Sequence, residues 1–346
     1  MKYKLSVIIP FYFSNNKTID PKKYFSLSSF EKCLSAVFKS DYNNFEVIAV
    51  SDSSSQESID IARKYPCKLV KLKKNSGAGF ARNKGADLAK GKILVFVDSD
   101  VEIQIDALSI INKHFNKKNN HGLLQGIYSH KPNYKNSSNQ YLQSYYSYYL
   151  FTETKKNKFT ETLCTNIFAI KKDIFKENDG FDNQFSSATT EDQEFGFRLI
   201  KKGFKIPIER KLTTIHHASS NIWDFITKIT NTQICEMKMH LRNKTIFMRT
   251  QQSNYTNVLL GMVLVSLMIA ISFLNIFIQI PFFLNILVGL NIIFIGIHLN
   301  FLKFILISKG SLASLKGVFY VYLHRLLHIN CALTGIIDFY LFGKKY

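Results

Sequence analysis

Between Arg249 and Lys303 the chain runs for 53 residues without one Asp, Glu, Lys or Arg. At 1.5 Å per residue, that length of helix spans about 80 Å, enough to cross a ~30 Å hydrocarbon layer twice. Pro281 divides the stretch and predicts helices over about 256–279 and 282–302. Helices buried in a soluble domain rarely avoid charge for so long, so the stretch is read as two membrane crossings. Lys303, Lys309 and Lys316 follow the second crossing and share a side with the basic N-terminal part. The positive-inside rule puts that side on the cytoplasmic face, so an integral membrane protein with its N-terminal domain in the cytoplasm is expected. The last apolar segment, about 312–342, carries Lys316, His324, Arg325, His328 and Asp338. It is expected to be an interfacial or third membrane helix. The domains predicted are therefore 1–250 and 251–346.

Charge follows the same division. Of 45 Lys and Arg against 25 Asp and Glu, 39 and 24 lie in the first 250 residues. A basic surface suits nucleic acid, anionic lipid or a phosphorylated substrate. The membrane hairpin already accounts for a positive face, so no nucleic-acid partner is expected. Lys238, Arg242, Lys244 and Arg249 read as the flank of the first crossing. Cys33, Cys67, Cys164, Cys235 and Cys331 show no metal-ligand spacing; they suggest a reducing compartment and packing as small hydrophobes. Met1-Lys2-Tyr3-Lys4 runs straight into a core strand, with no signal-peptide pattern.

In the N-terminal part, Leu5–Pro10, Phe45–Val50, Lys68–Leu72 and Ile93–Val97 read as strands. They alternate with helical patterns near 29–40, 56–65 and 78–90, and a loop is expected over 14–28. Such alternation predicts an α/β fold around a mostly parallel, doubly wound sheet. Ile93-Leu94-Val95-Phe96-Val97 is apolar on both faces and runs into Asp98-Ser99-Asp100. An open α/β sheet binds ligands beyond the carboxyl ends of its strands, where two hard oxygen donors can hold Mg²⁺ or Mn²⁺. Asp52 ends the second strand; it can read a base or ribose edge, or cap the following turn. Gly77-Ala78-Gly79 opens a helix with Arg82 one turn in, a place that favours an anion. Glu191 and Asp192 follow Thr190 at another helix start, where the dipole stabilises acids. They stand far from Asp98 and Asp100 in sequence, as an acid–base pole opposite a cation pole would.

In order, these pieces resemble the inverting glycosyltransferases of family 2, which have the GT-A fold. The resemblance rests on Ser6–Pro10 with Tyr12, Glu46–Asp52, Gly79–Gly85, Phe96–Asp100, Gly180-Phe181-Asp182, and Glu191-Asp192 with Arg198. It covers roughly residues 4–220. It implies that Pro10, Tyr12 and Asp52 line the nucleotide pocket and that Arg82 lies near the donor diphosphate. It makes Asp98 and Asp100 the metal pair and Asp192 the general base, with Glu191 beside it in the catalytic pair. Arg198 is expected on the nucleotide-sugar side. Either His216 or His217 is expected to close over the donor phosphates or metal. The implied partner is a nucleoside-diphosphate sugar, and the implied cofactor a divalent metal.

Two departures matter. Ser53-Ser54-Ser55 stands where Asp-Gly-Ser is common, and no Gln-x-x-Arg precedes Trp223, the only tryptophan. The second implies addition of one sugar per encounter rather than polymerisation. Tyr141, Tyr145, Tyr146, Tyr148 and Tyr149, with Leu142, Leu150 and Phe151, could line an acceptor groove, rest on a membrane surface or pack as an ordinary helix. The expected function is a membrane-bound, hexosyltransferase-type enzyme acting on a lipid or lipid-linked glycan. Two other readings stay open: a synthase charging polyprenyl phosphate itself, and a catalytically silent nucleotide-sugar-binding membrane protein.

Overall fold

The computed structural model describes residues 4–13, 27–129, 136–156, 158–185, 188–217, 221–243 and 255–343. Lys244, Arg249 and nearly all of the loop expected over 14–28 lie outside them. The elements in chain order are β1 (Leu5–Phe11), α1 (Leu27–Phe38), β2 (Phe45–Ser51), α2 (Gln56–Arg63), β3 (Lys68–Lys71), α3 (Ala78–Leu88), β4 (Ile93–Val97), β5 (Val101–Ile103), α4 (Ala107–Phe115) and β6 (Leu123–Tyr128). They continue with α5 (Ser137–Lys156), β7 (Phe159–Thr160), β8 (Ile167–Lys171), α6 (Lys172–Glu177), α7 (Glu191–Lys201), β9 (Ile206–His216), α8 (Ile222–Asn243), α9 (Tyr255–Ile278), α10 (Pro281–Lys309) and α11 (Ser311–Phe342).

The chain forms two compact units. One comprises residues 1–132 and 150–220 with the last two residues; the other comprises 133–149 and 221–344. Composition changes near 250, but the contact boundary falls at 220, because α8 packs with the C-terminal helices.

In the first unit the sheet order is β3-β2-β1-β4-β8-β6-β9-β5, with β7 on β9. The half from β3 to β4 is parallel, with Leu5 opposite Phe45 on one side and Ile93 on the other. β8 then pairs antiparallel with β4, Val97 standing opposite Ile167. This half-parallel, half-mixed sheet bears out the α/β expectation and refines it. Alternating side chains build a core on each face, as a doubly wound sheet requires. Val7, Ile9, Val95 and Val97 join Phe30, Cys33 and Leu34 of α1 on one face. Ile8, Leu94 and Phe96 join Phe181, Phe195 and Leu199 on the other. The i, i+3, i+4, i+7 spacing of Phe30, Cys33, Leu34 and Val37 gives α1 its buried stripe. α3 lies so close to the sheet that a Cβ on Gly85 would come within 2.4 Å of Ile8 Cγ2, so only glycine fits there.

The second unit is helical. Pro281 occupies the first turn of α10, where its missing N–H costs nothing, and so divides α9 from α10 close to the expected place. Among the described residues these two helices are long and apolar enough to cross a membrane. α11 is one continuous helix in which His324, Arg325 and His328 are buried while Lys316 is exposed. Tyr141 and Tyr145 of α5 are buried too, packed on Phe301 and His324. Tyr141 Oη lies 3.0 Å from His324 Nδ1. Of the three readings of the tyrosine run, the packing helix is therefore the one observed for these two residues. Gly335 lets α11 meet α8, since a Cβ there would come 2.8 Å from Met237 Cβ.

Candidate active site

The site forms where β4 stops. Beyond Val97 the chain turns through Asp98, Ser99 and Asp100 and re-enters the sheet as β5, which pairs antiparallel with β9. The register sets Val101 opposite His216 and Glu102 opposite Ile215. As a result His216 Nε2 lies 2.7 Å from Asp100 Oδ2, with both side chains buried. The His217 amide donates to the Asp100 carbonyl at 2.8 Å, while its ring nitrogen Nε2 meets Glu102 Oε2 at 2.8 Å. Neighbouring histidines thus serve different acids, and His216 is the one joined to the paired aspartates.

Asp192 enters from the first turn of α7. Its Oδ1 accepts the Gln193 amide at 2.8 Å and its Oδ2 the Thr165 amide at 3.2 Å. Beside it Glu191 is buried with both oxygens engaged: Oε1 by Arg82 Nη1 at 2.7 Å and Oε2 by the Thr189 amide at 2.8 Å. The other terminal nitrogen of Arg82, Nη2, reaches Asp98 Oδ1 at 2.7 Å. One guanidinium therefore connects the two acid pairs that lie nearly a hundred residues apart in sequence.

Electrostatics follows from this crowding. Burial raises the Asp98 carboxyl, with Asp100 and Glu191 adding to the rise and Arg82 opposing it. Asp192 is pushed up to about 7, first by burial and then by the charge of Glu191, again against Arg82. A carboxyl in that range is matched to taking a proton near neutrality.

Asp52 accepts the Ser76 amide on Oδ1 and the Gly77 amide on Oδ2, both at 2.8 Å, tying the end of β2 to the turn that starts α3. It does not cap α2; Ser55 does. Burial raises its carboxyl and the two amides oppose the rise. Pro10 is buried in β1 opposite Val50, and Tyr12 is 43% exposed just beyond that strand's end. The Asp52 amide bonds the Phe11 carbonyl at 2.9 Å, which keeps these three residues at one edge of the sheet.

Arg198 Nε bonds Glu194 Oε1 at 2.7 Å, and Nη1 and Nη2 bond the carbonyls of Asn178 at 2.6 Å and Gly180 at 2.5 Å. It pins the turn around Gly180, whose φ is +59°. Glu191, too, is a held group, not an open one.

Residues that the sequence reading missed come from the start of β8. Thr165 donates to Asp192; Asn166 Nδ2 donates to Thr214 Oγ1 at 2.9 Å. Cys164 lies 3.8 Å from Tyr128 Oη, and the Tyr128 ring packs on His216. Burial pushes the Cys164 thiol up to about 12, so it is a packing group rather than a nucleophile. The signal was present: polar residues directly before the apolar run Ile167–Ile170, at the end of a strand that runs antiparallel to β4.

The donor set suits a hard divalent cation. Asp98, Glu191 and Asp192 lie around one guanidinium and Asp100 follows two residues after Asp98, which leaves an excess of carboxylates for a cation to offset. Among the described residues no three His, Cys, Asp or Glu side chains form a ready-made cage. Mg²⁺ or Mn²⁺ needs none: one or two carboxylates suffice when waters and phosphate oxygens complete the shell.

Comparison with known proteins identifies the family and the fold. The profile of glycosyl transferase family 2 matches residues 6–178, and that of glycosyl transferase family group 2 matches residues 93–299. The uncharacterized glycosyltransferase YibD of Escherichia coli is 33% identical over 104 residues, 29% of this chain and 27% of YibD. The poly(ribitol-phosphate) β-N-acetylglucosaminyltransferase TarS of Staphylococcus aureus is 34% identical over 122 residues, 32% of this chain and 19% of TarS. The chain thus aligns with about a quarter or less of the length of these relatives. The mannosyltransferase PcManGT of Pyrobaculum calidifontis, solved with GDP-Man and Mn²⁺, superposes with a TM-score of 0.58 at 13% identity, covering 98% of this chain and 88% of its own. The fold is a mixed α/β sheet of GT-A type. The chain belongs to glycosyl transferase family 2.

Proposed function

We propose that this protein is a membrane-anchored inverting glycosyltransferase that moves one sugar from a nucleoside-diphosphate donor to a lipid or lipid-linked glycan, on the cytoplasmic face. The observation that carries the proposal is that Arg82 joins Asp98 to Glu191, which sets the neighbouring Asp192 within electrostatic reach of the Asp98–Asp100 strand end. Asp192 takes the proton of the acceptor hydroxyl as that oxygen attacks the sugar C1 and the C1–O bond to the diphosphate breaks. Thr165 fixes the orientation of Asp192. His216 orients Asp100, and Asp98 and Asp100 would hold the metal. A bound Mg²⁺ or Mn²⁺ supplies charge stabilisation for the diphosphate leaving group. Asp52, Pro10 and Tyr12 line the nucleotide side.

The anchor is supported by α9 and α10, whose apolar side chains are largely exposed, as in Phe277 at 71% and Ile307 at 87%. Exposed apolar area of that extent marks an interaction with a membrane or another protein. A lipid or lipid-linked acceptor is the substrate class that such an anchor serves.

The test is to incubate the purified protein with membrane lipids and each common nucleotide sugar plus Mn²⁺, and to analyse the lipid products by mass spectrometry. A product heavier by one hexose-type residue is expected, and the Asp192→Asn variant should give none. Product formation by that variant at the wild-type rate would point instead to a polyprenyl-phosphate acceptor, whose phosphate needs no base. Absence of product with every donor would favour a silent nucleotide-sugar-binding protein.

A further inference from the structure

The resemblance to family 2 puts Arg82 on the donor's diphosphate, but its surroundings suit a different task. The residue is 3% exposed, and its side chain 4%. Each terminal nitrogen is bonded to a different carboxylate at 2.7 Å, Nη1 to Glu191 and Nη2 to Asp98. Its Nε is sealed and bonds nothing among the described residues. The guanidinium face lies 5.4 Å from the centre of the Phe181 ring. Each terminal nitrogen keeps a second N–H, but the whole side chain is buried, so a phosphate would have to open this packing to reach it.

The surrounding chain is shaped for this arrangement. A Cβ on Gly79, one turn before Arg82, would come 3.2 Å from Phe181 Cβ and 3.4 Å from Glu191 Cγ. Glycine there lets α3 approach both. Glu191 is held a second time by the Thr189 amide, so its carboxylate is fixed at both oxygens. Asp192 is the next residue in the same helical turn, and its backbone cannot move unless Glu191 moves. Asp98 is likewise fixed from one side while 26% of its side chain remains exposed.

We propose that Arg82 is a positioning residue, a buried strut that sets the spacing between the Asp98 strand end and the helix start carrying Asp192, and that it is not a ligand of the donor phosphates. The proposal rests on the transfer reading given above. A planar fork can meet two carboxylates in two directions, which a lysine ammonium on a flexible stem does not reproduce. Removing the fork leaves acids facing one another without their shared counter-charge, and it frees the spacing on which attack geometry depends.

The experiment uses the full-length protein in detergent. In Arg82→Lys, kcat should fall about 10- to 100-fold, the effect of a misplacement near 1 Å, while donor KM stays within about threefold. Binding of GDP and UDP without divalent metal, measured by calorimetry, should stay within about threefold of wild type, because no phosphate contact is lost. A loss of metal-free nucleotide affinity of about tenfold or more, with kcat largely kept, would overturn the strut. A second measurement does not depend on turnover. The melting temperature should drop in Arg82→Gln and in Glu191→Gln, and the double variant should drop by clearly less than the two together. Additive drops would overturn the proposal. If the wild-type protein transfers no sugar from any donor, the melting cycle still decides the strut, and only the transfer reading is lost.

Discussion

The two units treat the same residue types in opposite ways. In the first, Phe96, Phe168, Phe181 and Phe195 are at most 1% exposed, and Arg82 is joined to Asp98 and Glu191 by direct ion pairs. In the second, Phe273, Phe277, Phe282 and Phe342 are 61–79% exposed, while Arg325, His324 and Lys238 are buried. Two arginines make the contrast plain. Arg82 bridges two carboxylates, whereas Arg325 has the ring of His298 beside it, Nε to Nε2 at 3.4 Å, under a gap left by Gly261. Water rewards the first arrangement. The second is what a hydrocarbon surrounding selects, with polar groups gathered inside and apolar ones facing out.

The comparison can be sharpened by graded substitutions. The largest effect is expected from Asp192→Asn, which should lower turnover by about 10²–10⁴-fold, the usual contribution of a general base, with nucleotide binding by calorimetry unchanged. Next is a matched pair of phenylalanines. Phe96→Ala should cost about 3–5 kcal/mol of stability in chemical denaturation, since it empties a packed core. Phe277→Ala should cost within about 0.5 kcal/mol in detergent, being exposed. Equal losses would break the claim that the two units face different surroundings. Gly335→Val should cost about 1–3 kcal/mol by wedging α11 from α8, read as a lower melting temperature in detergent.

A separate effect is on pH. The Asp192 carboxyl is raised from 3.8 to about 7 in the folded protein, so the fold favours its neutral form. Its contribution to stability is complete below the ordinary value and is lost as pH rises through about 7. Turnover should rise over that same interval, because the base must be ionised. Denaturation and rate profiles should therefore run in opposite directions there, and Asp192→Asn should flatten the stability profile.

Much of this was legible in the chain. Runs such as Ile93–Val97 ending on acids gave away both a buried strand and the edge where chemistry sits, because side-chain burial and strand direction are local matters. Pro281 marked the break between the two long helices for a similar reason. What stayed hidden was partnership. Nothing near Arg82 announces that Glu191 and Asp98 will share it, since the contacts depend on how α3 and α7 pack over the sheet. The choice between His216 and His217 required the register of β5 on β9, which no pattern within either segment encodes. Two of the three acceptors of Arg198 are backbone carbonyls, and these leave no trace in residue identity.

The reversed strand β8 has one more consequence. Because it runs against β4, with Ile167 opposite Val97, the point where the chain enters β8 is also the point where it leaves β4. Thr165 and its neighbours therefore reach the cleft from a connection that takes no part in the parallel half of the sheet. Lengthening or rewriting that connection would reshape what approaches Asp192 while β1, β2 and β4 keep their register. A scaffold wired this way can vary one wall of the site while the parallel half of the sheet stays fixed.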